Sequence, residues 1–256
     1  MSTLEFSAAN QAKLEAYMPP ASKSTKPFVT LTFATSLDSS LSLAPGVRTR
    51  LSGPDSKAMT HYLRSRHAAI CIGVGTAVAD DPALNCRISG STLAQQPRPI
   101  VIDPQARWEF TRDSKVFEVC RDGKGKAPFV LVAEDTEVVA AKRGVLEEHG
   151  GKVVAVPVNA QGQFSWTDIL CVLSREGLDS VMVEGGGHII NSLLHVHSQN
   201  LIDSVIVTIA PTWLGQGGVV VSPDRVKEGG VAVPAARLKD VAWHPFGEDV
   251  VLCGRL

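Results

Sequence analysis

Short apolar runs alternate along this chain with longer stretches in which apolar positions recur every three or four residues. The short runs read as buried strands and the longer ones as helices with one apolar face. Strands are expected at 28–34 (FVTLTFA), 68–74 (AAICIGV), 99–103 (PIVID), 128–133 (PFVLVA), 152–158 (KVVAVPV), 180–184 (SVMVE) and 203–211 (DSVIVTIAP). Helices are expected at 54–67, 136–150, 166–177 and 188–196. In the first, Met59, Leu63 and the aliphatic stem of Arg66 share a face; in the last, Ile189, Ile190, Leu193 and Leu194 form the apolar stripe. Gly150 with Gly151, and Gly177, close two of them as C-caps. The tail from Asp240 reads as two strands around a turn at Gly247. Strands separated by helical stretches predict crossovers, hence an α/β fold with a mixed, mostly parallel sheet flanked by helices and antiparallel strands at the C-terminal end.

Residues 1–26 read as an N-terminal extension, with a short helix from Ser7 to Met18 ended by Pro19 and Pro20 and followed by the polar linker ASKSTKP. The main domain is expected over 27–256. RDGKGKAP (121–128) and SPDRVKEGGVAVP (222–234) read as solvated loops.

Charge narrows the partners. With 25 basic and 26 acidic residues the formal charge is −1, which supports neither a nucleic-acid nor a membrane partner. No apolar run reaches a membrane span, and the N-terminus lacks the basic start and apolar stretch of a signal peptide. The five cysteines include no C-x-x-C pair, so reduced thiols and a cytoplasmic location are expected.

Two glycine-bearing junctions lie where α/β sheets bind ligands, beyond the carboxyl ends of strands. One is VMVEGGGHIINSL (181–193), where Glu184 ends a strand and Gly185, Gly186 and Gly187 lead into a helix. A helix start offers unpaired N–H groups and partial positive charge, suited to a phosphate, and glycines let a ligand approach the backbone. The same glycines serve equally as a tight turn with no ligand. The other junction is CIGVGTAVADDPALNCR (71–87). Gly73 and Gly75 begin a dinucleotide fingerprint, but Val78 stands where its third glycine belongs, and no Walker Lys-Ser/Thr follows. Thr76 is placed to cap a short helix and shares a face with Asp80, offering a hydroxyl and a carboxylate to a ribose or an amide; Asp80 and Asp81 read otherwise as a turn before Pro82. Arg64 and Arg87 are candidate phosphate clamps, although arginines most often sit solvated at the surface. The seven histidines fall in no metal-ligand pattern, and no metal is expected.

Together TSLDSSLS (35–42), the stretch 51–87, RPIVID (98–103), VMVEGGGHIINSLL (181–194) and APTWLGQGG (210–218) resemble the riboflavin-biosynthesis reductases over about residues 27–256. The most specific piece is Thr-x-x-x-Asp-Asp-Pro at Thr76, Asp80, Asp81 and Pro82, with E-G-G-G at the matching distance. The resemblance implies a dihydrofolate-reductase-like fold and reduction of a ribosylaminopyrimidine 5′-phosphate by NADPH in a homodimer. It implies that Thr35, Thr76, Asp80, Pro104, Gly185, Gly186 and Gly187 contact the cofactor, and that Arg64, Leu84, Arg87 and Glu184 bind substrate. The zinc-deaminase motifs H-x-E and P-C-x-x-C of the bifunctional bacterial relatives are absent from this sequence, so reduction alone is expected. The resemblance to the fungal and archaeal reductases, which act before deamination, implies the diamino-pyrimidinone as substrate. A deaminated pyrimidine, a pterin, or nucleotide binding without catalysis are the alternatives. If the reaction needs an acid, Glu184 and Asp38 are the carboxylates at strand ends available to supply it; Glu184 is placed either to donate a proton, if burial neutralises it, or to accept a hydrogen bond. Asp103 would favour NADH in a Rossmann frame, but this sequence does not support that frame, and Arg107 is the expected partner of an NADPH 2′-phosphate. The apolar stretch 205–211 is a candidate for pairing between subunits.

Overall fold

The computed structural model describes residues 2–22, 24–133 and 137–256. Its central feature is a nine-stranded sheet of β1 (Phe28–Thr35), β2 (Ala69–Gly73), β3 (Arg98–Ile102), β4 (Phe129–Val132), β5 (Lys152–Ala155), β6 (Ser180–Gly185), β7 (Ser204–Ile209), β8 (Lys239–Phe246) and β9 (Asp249–Arg255). The order across the sheet is β8-β9-β7-β1-β6-β2-β3-β4-β5. All pairs from β7 to β5 are parallel, and β9 pairs antiparallel with both β7 and β8. This is the expected mixed sheet.

The helices are α1 (Ala8–Leu14), α2 (Pro54–Arg66), α3 (Val74–Asp80), α4 (Lys115–Arg121), α5 (Glu137–Glu148), α6 (Trp166–Arg175) and α7 (Gly187–Leu194). Thr136 lies outside the described residues, as does Lys23 in the expected linker. Parallel strands covered on both faces need apolar residues at every position, which explains the continuous runs in the sequence. In β2, Ile70 and Ile72 pack with Met59, Leu63 and Phe117 on one face, whereas Ala69 and Cys71 pack with Ile169, Leu170 and Ile190 on the other. Each large apolar side chain so buried contributes about 1.5–3 kcal/mol.

Three features depart from the sequence pattern. Helix α4 lies in a stretch with no assigned element; it is two turns long, and its buried residues Val116, Phe117 and Val119 are too few to show a period. Two short ribbons also form: Lys227–Glu228 with Val231–Ala232 inside the stretch expected as a solvated loop, and Ser40–Ser42 with Val219–Val220 where no element was assigned. The expected pairing of 205–211 between subunits is corrected: β7 is hydrogen-bonded on both edges, to β1 and β9, and has no free edge to offer.

The N-terminal residues are integrated into the core. Ser7 caps α1 by accepting from the Asn10 N–H at 3.2 Å. Phe6, Leu14, Tyr17 and Met18 are buried in the cluster that holds Met59 and Tyr62. Phe6 stacks on Tyr62 with ring centroids 5.2 Å apart, and the Tyr17 hydroxyl donates to the Asp240 carbonyl at 2.6 Å.

Candidate active site

β6 is made late in the chain but lies between β1 and β2, so the sheet order changes direction there. Ligands in open α/β sheets collect at such a point, beyond the strand ends. A cavity of about 810 Å³ opens there, lined by Ala34 of β1, Gly73 of β2, Ile102 of β3 and Glu184 and Gly185 of β6. Of the expected site residues, Thr76, Asp80, Pro104, Glu184, Gly185, Gly186 and Gly187 line it; Thr35, Asp38, Arg64, Leu84 and Arg87 do not.

Each glycine of the β6–α7 junction has a separate geometric cause. Gly185 has φ +141, a conformation that side chains rarely adopt, and the Gly185–Gly186 peptide is cis. A Cβ at Gly186 would stand 2.8 Å from Thr76 Oγ1, so this glycine lets the two junctions touch. A Cβ at Gly187 would collide with Val219 Cγ1 of the Ser40–Ser42 ribbon. No side chain caps α7, which leaves its first-turn N–H groups beside the cavity. Such a cradle fits a dinucleotide pyrophosphate.

Thr76 is not the cap of α3. β2 runs straight into that helix with Gly73 as N-cap, and Thr76 sits within the first turn facing Gly186. Asp80 lines the cavity with no hydrogen-bond or ion-pair partner among the described residues. Asp81 takes the left-handed C-cap position at φ +40 and accepts from the Lys115 N–H.

Glu184 is neither isolated nor buried alone. Arg64 Nη2 donates to both of its carboxylate oxygens, at 2.7 and 2.8 Å, and the two side chains are 22% and 14% exposed. The carboxylate therefore does not end β6 alone: it has a cation committed to it. Arg64 is likewise not a bare phosphate clamp, since its Nη1 donates to the Asn85 carbonyl.

Around this pair lies a cationic cluster that the motifs did not reveal. Lys57, His61 and Arg64 follow one another at i, i+4 and i+7 on α2, and Arg87 Nη2 lies 3.0 Å from His61 Nε2. Burial, then Arg64, Arg87 and Lys57, push His61 down to about 2, so its ring is neutral at physiological pH. Burial followed by Arg87, Arg50, Arg48 and Arg64 lowers Lys57. Arg48, Arg50, Arg87 and Lys57 thus surround the Arg64–Glu184 pair with positive charge. The helical spacing of Lys57, His61 and Arg64 is the signal that would have found it.

The other expected residues lie in the supporting structure. Thr35 is buried, and its hydroxyl donates to the Ser36 carbonyl. The side chain of Leu84 is buried in the core and its φ is +54. Asp38 is held below the usual carboxylate range by the Ser36 hydroxyl, then by the Leu214 and Gly215 N–H groups, so it pins a loop and is poorly suited to donate a proton. Asp103, which resembled a ribose-binding acid, accepts from the Arg107 and Trp108 N–H groups inside its own turn. Arg107 lines the cavity beside Pro104, and its guanidinium has no partner among the described residues. No cluster of His, Cys, Asp and Glu suited to a metal occurs among the described residues.

A mixed sheet of this order, with a nucleotide-sized cavity at its switch point, defines a dihydrofolate-reductase-like α/β protein. The family model of the RibD C-terminal domain matches residues 27–252, and the chain belongs to that family. It is 42% identical over the full length of both chains to the 2,5-diamino-6-ribosylamino-4(3H)-pyrimidinone 5′-phosphate reductase of Debaryomyces hansenii. It is 39% identical to the protein of that name from Saccharomyces cerevisiae, covering 95% of this chain and 93% of the other. The solved riboflavin biosynthesis reductase of Saccharomyces cerevisiae superposes with a TM-score of 0.75 at 36% identity, covering 95% of this chain and 97% of that one. RibD of Acinetobacter baumannii shares the fold, with a TM-score of 0.70 at 21% identity over 91% of this chain and 58% of that one.

Proposed function

We propose that this chain reduces 2,5-diamino-6-ribosylamino-4(3H)-pyrimidinone 5′-phosphate to the ribitylamino form in riboflavin biosynthesis, with NADPH as donor. The observation that carries the reading is the adjacency of two unlike sites. A glycine-lined cradle of dinucleotide size meets, through the Arg64–Glu184 pair, a cationic cluster suited to a phosphate monoester. The names of the relatives support the substrate and the class of reaction.

Gly185, Gly186, Gly187, Thr76 and Asp80 hold the pyrophosphate and nicotinamide half of the cofactor, and Pro104 lies near its adenosine end. The Arg107 guanidinium, with no partner among the described residues, receives the 2′-phosphate, while Asp103 is occupied by its own turn and does not compete for the ribose. The reduced nicotinamide held there would supply a hydride to C1′ of the opened sugar, the ring oxygen having taken a proton from solvent as the ring opens. Arg87 and Lys57 hold the substrate phosphate, with Thr35 and Leu84 shaping the walls from behind. Glu184, paired with Arg64, orients the ribose hydroxyls and opposes the positive charge that develops at C1′ as the ring opens. Holding donor and acceptor in one cavity can supply about 7–11 kcal/mol of the barrier.

The reductase domain is residues 27–256, with the N-terminal extension packed into its core, and it acts in the cytoplasm as a homodimer. The outer face of the β8–β9 hairpin, where Val241, Trp243 and Val250 are exposed, supports the dimer. The test is NADPH oxidation, followed by absorbance, with the diamino substrate, its deaminated counterpart and dihydrofolate supplied in turn. Fastest turnover on the diamino substrate is expected. Preference for dihydrofolate, or cofactor binding without oxidation, would overturn the reading.

A further inference from the structure

The cationic cluster owes its shape to a part of the chain outside the matched family region of residues 27–252. Leu4 forms a parallel bridge with Ile88. Its N–H donates to the Arg87 carbonyl at 2.9 Å, and its carbonyl accepts from the Ser89 N–H at 2.9 Å. The Arg87 N–H donates to His61 Nδ1 at 3.1 Å. The main chain of Arg87 is therefore gripped from α2 on one side and from the N-terminus on the other, in a segment that is neither helix nor strand. Further along, both Glu15 oxygens accept from Arg66, at 2.7 and 2.9 Å, two residues from Arg64 on α2. Phe6 on Tyr62 fills the space between these two grips.

We propose that residues 4–15 form a positioning strap, in which Leu4 sets the Arg87 guanidinium for the phosphate of the substrate. The inference rests on the reading of Arg87 as a phosphate ligand. Leu4 touches neither substrate nor cofactor and acts through Arg87. Its two main-chain hydrogen bonds hold Arg87 beside His61, whose neutral ring adds no charge to repel the guanidinium. Small displacements of a binding group weaken its contacts steeply, because hydrogen bonds depend on distance and angle.

The test compares Leu4→Pro, which removes the N–H donor, with Leu4→Ala, which keeps both main-chain groups. Leu4→Pro is expected to raise KM for the phosphorylated substrate about fivefold, the equivalent of one hydrogen bond, with kcat and NADPH affinity unchanged. Leu4→Ala stays near the parent. The preference for the phosphorylated over the dephosphorylated substrate shrinks in Leu4→Pro alone, which a general loss of folding would not produce. Calorimetric binding of ribose 5-phosphate repeats the comparison without turnover, so failure of the parent to oxidise NADPH would sink the functional reading and leave this one standing. Should Leu4→Pro not fold, deletion of residues 2–5 takes its place. Equal phosphate affinity in parent and variant, or parallel loss of phosphate and NADPH binding, would overturn the strap.

Discussion

Replacing Glu184 by glutamine separates charge from shape at the end of β6. The glutamine fills the same space and can still accept one hydrogen bond from Arg64, but the guanidinium loses its counter-charge. Removing one partner of a fully buried pair costs about 3–5 kcal/mol, and of an exposed pair about 0–1 kcal/mol. At 14% and 22% exposure the Arg64–Glu184 pair lies between these limits, so about 2 kcal/mol of stability is expected to go. In a chain of this size that lowers Tm by about 4–8 °C, read by differential scanning fluorimetry. Turnover is expected to fall by at least about tenfold, or 1.4 kcal/mol, from loss of the charge opposing the cation that forms at C1′. NADPH affinity, read by fluorescence titration, should hold, because the glycines of the cradle are untouched. Unchanged turnover in a folded variant would remove Glu184 from the mechanism, and an unchanged Tm would show that the pair carries no net stability.

Gly187→Ala forces a Cβ into Val219 of the ribbon, and a loss of about 1–3 kcal/mol with weaker NADPH binding is expected, measured by thermal melts and titration. Gly75→Ala meets open space at a helical position and should keep or raise Tm. His67 is buried between Thr30 Oγ1 and the Leu63 carbonyl, and burial lowers it from 6.5 to about 4. The unfolded chain thus binds this proton first, so stability from His67 is full above pH 6.5 and falls by about 1.4 kcal/mol per pH unit down to about pH 4; His67→Gln should flatten the denaturant-derived stability profile in that window. Asp38→Asn is expected to speed hydrogen exchange at Leu214 and Gly215, whose N–H groups the carboxylate holds. Because Asp38 sits below the usual carboxylate range, this protection persists at mildly acid pH and is lost only as pH falls further; exchange rates unchanged by the substitution would refute the role.

The parallel sheet was legible because strands covered on both faces are apolar over their buried stretch, as β2 is throughout and β6 is over Val181, Met182 and Val183. The E-G-G-G and Thr-x-x-x-Asp-Asp-Pro stretches were legible because close backbone approach leaves few residue choices, and Gly186 against Thr76 is such an approach. Helix α4 escaped because two turns give no period. The Arg64–Glu184 pair escaped because its members are 120 residues apart, and nothing local to either announces the other. Asp103 misled for the opposite reason: an acid after a strand looks the same whether it reaches for a ribose or for its own turn, and here it takes the N–H groups of Arg107 and Trp108.

The order of the sheet also sets a timetable. β1 is the first strand to be synthesised, yet its two neighbours, β6 and β7, are made after β5. During translation β1 therefore waits with both edges unpaired, and β2 waits with one. Pairing over such separations closes slowly, and open edges recruit other chains. Shortened chains ending before Ser180 will lack Glu184 and the glycine cradle and will carry an orphaned central strand. Such fragments will be sticky and inactive, and chaperone dependence in the cell will be greatest in the interval before β6 leaves the ribosome.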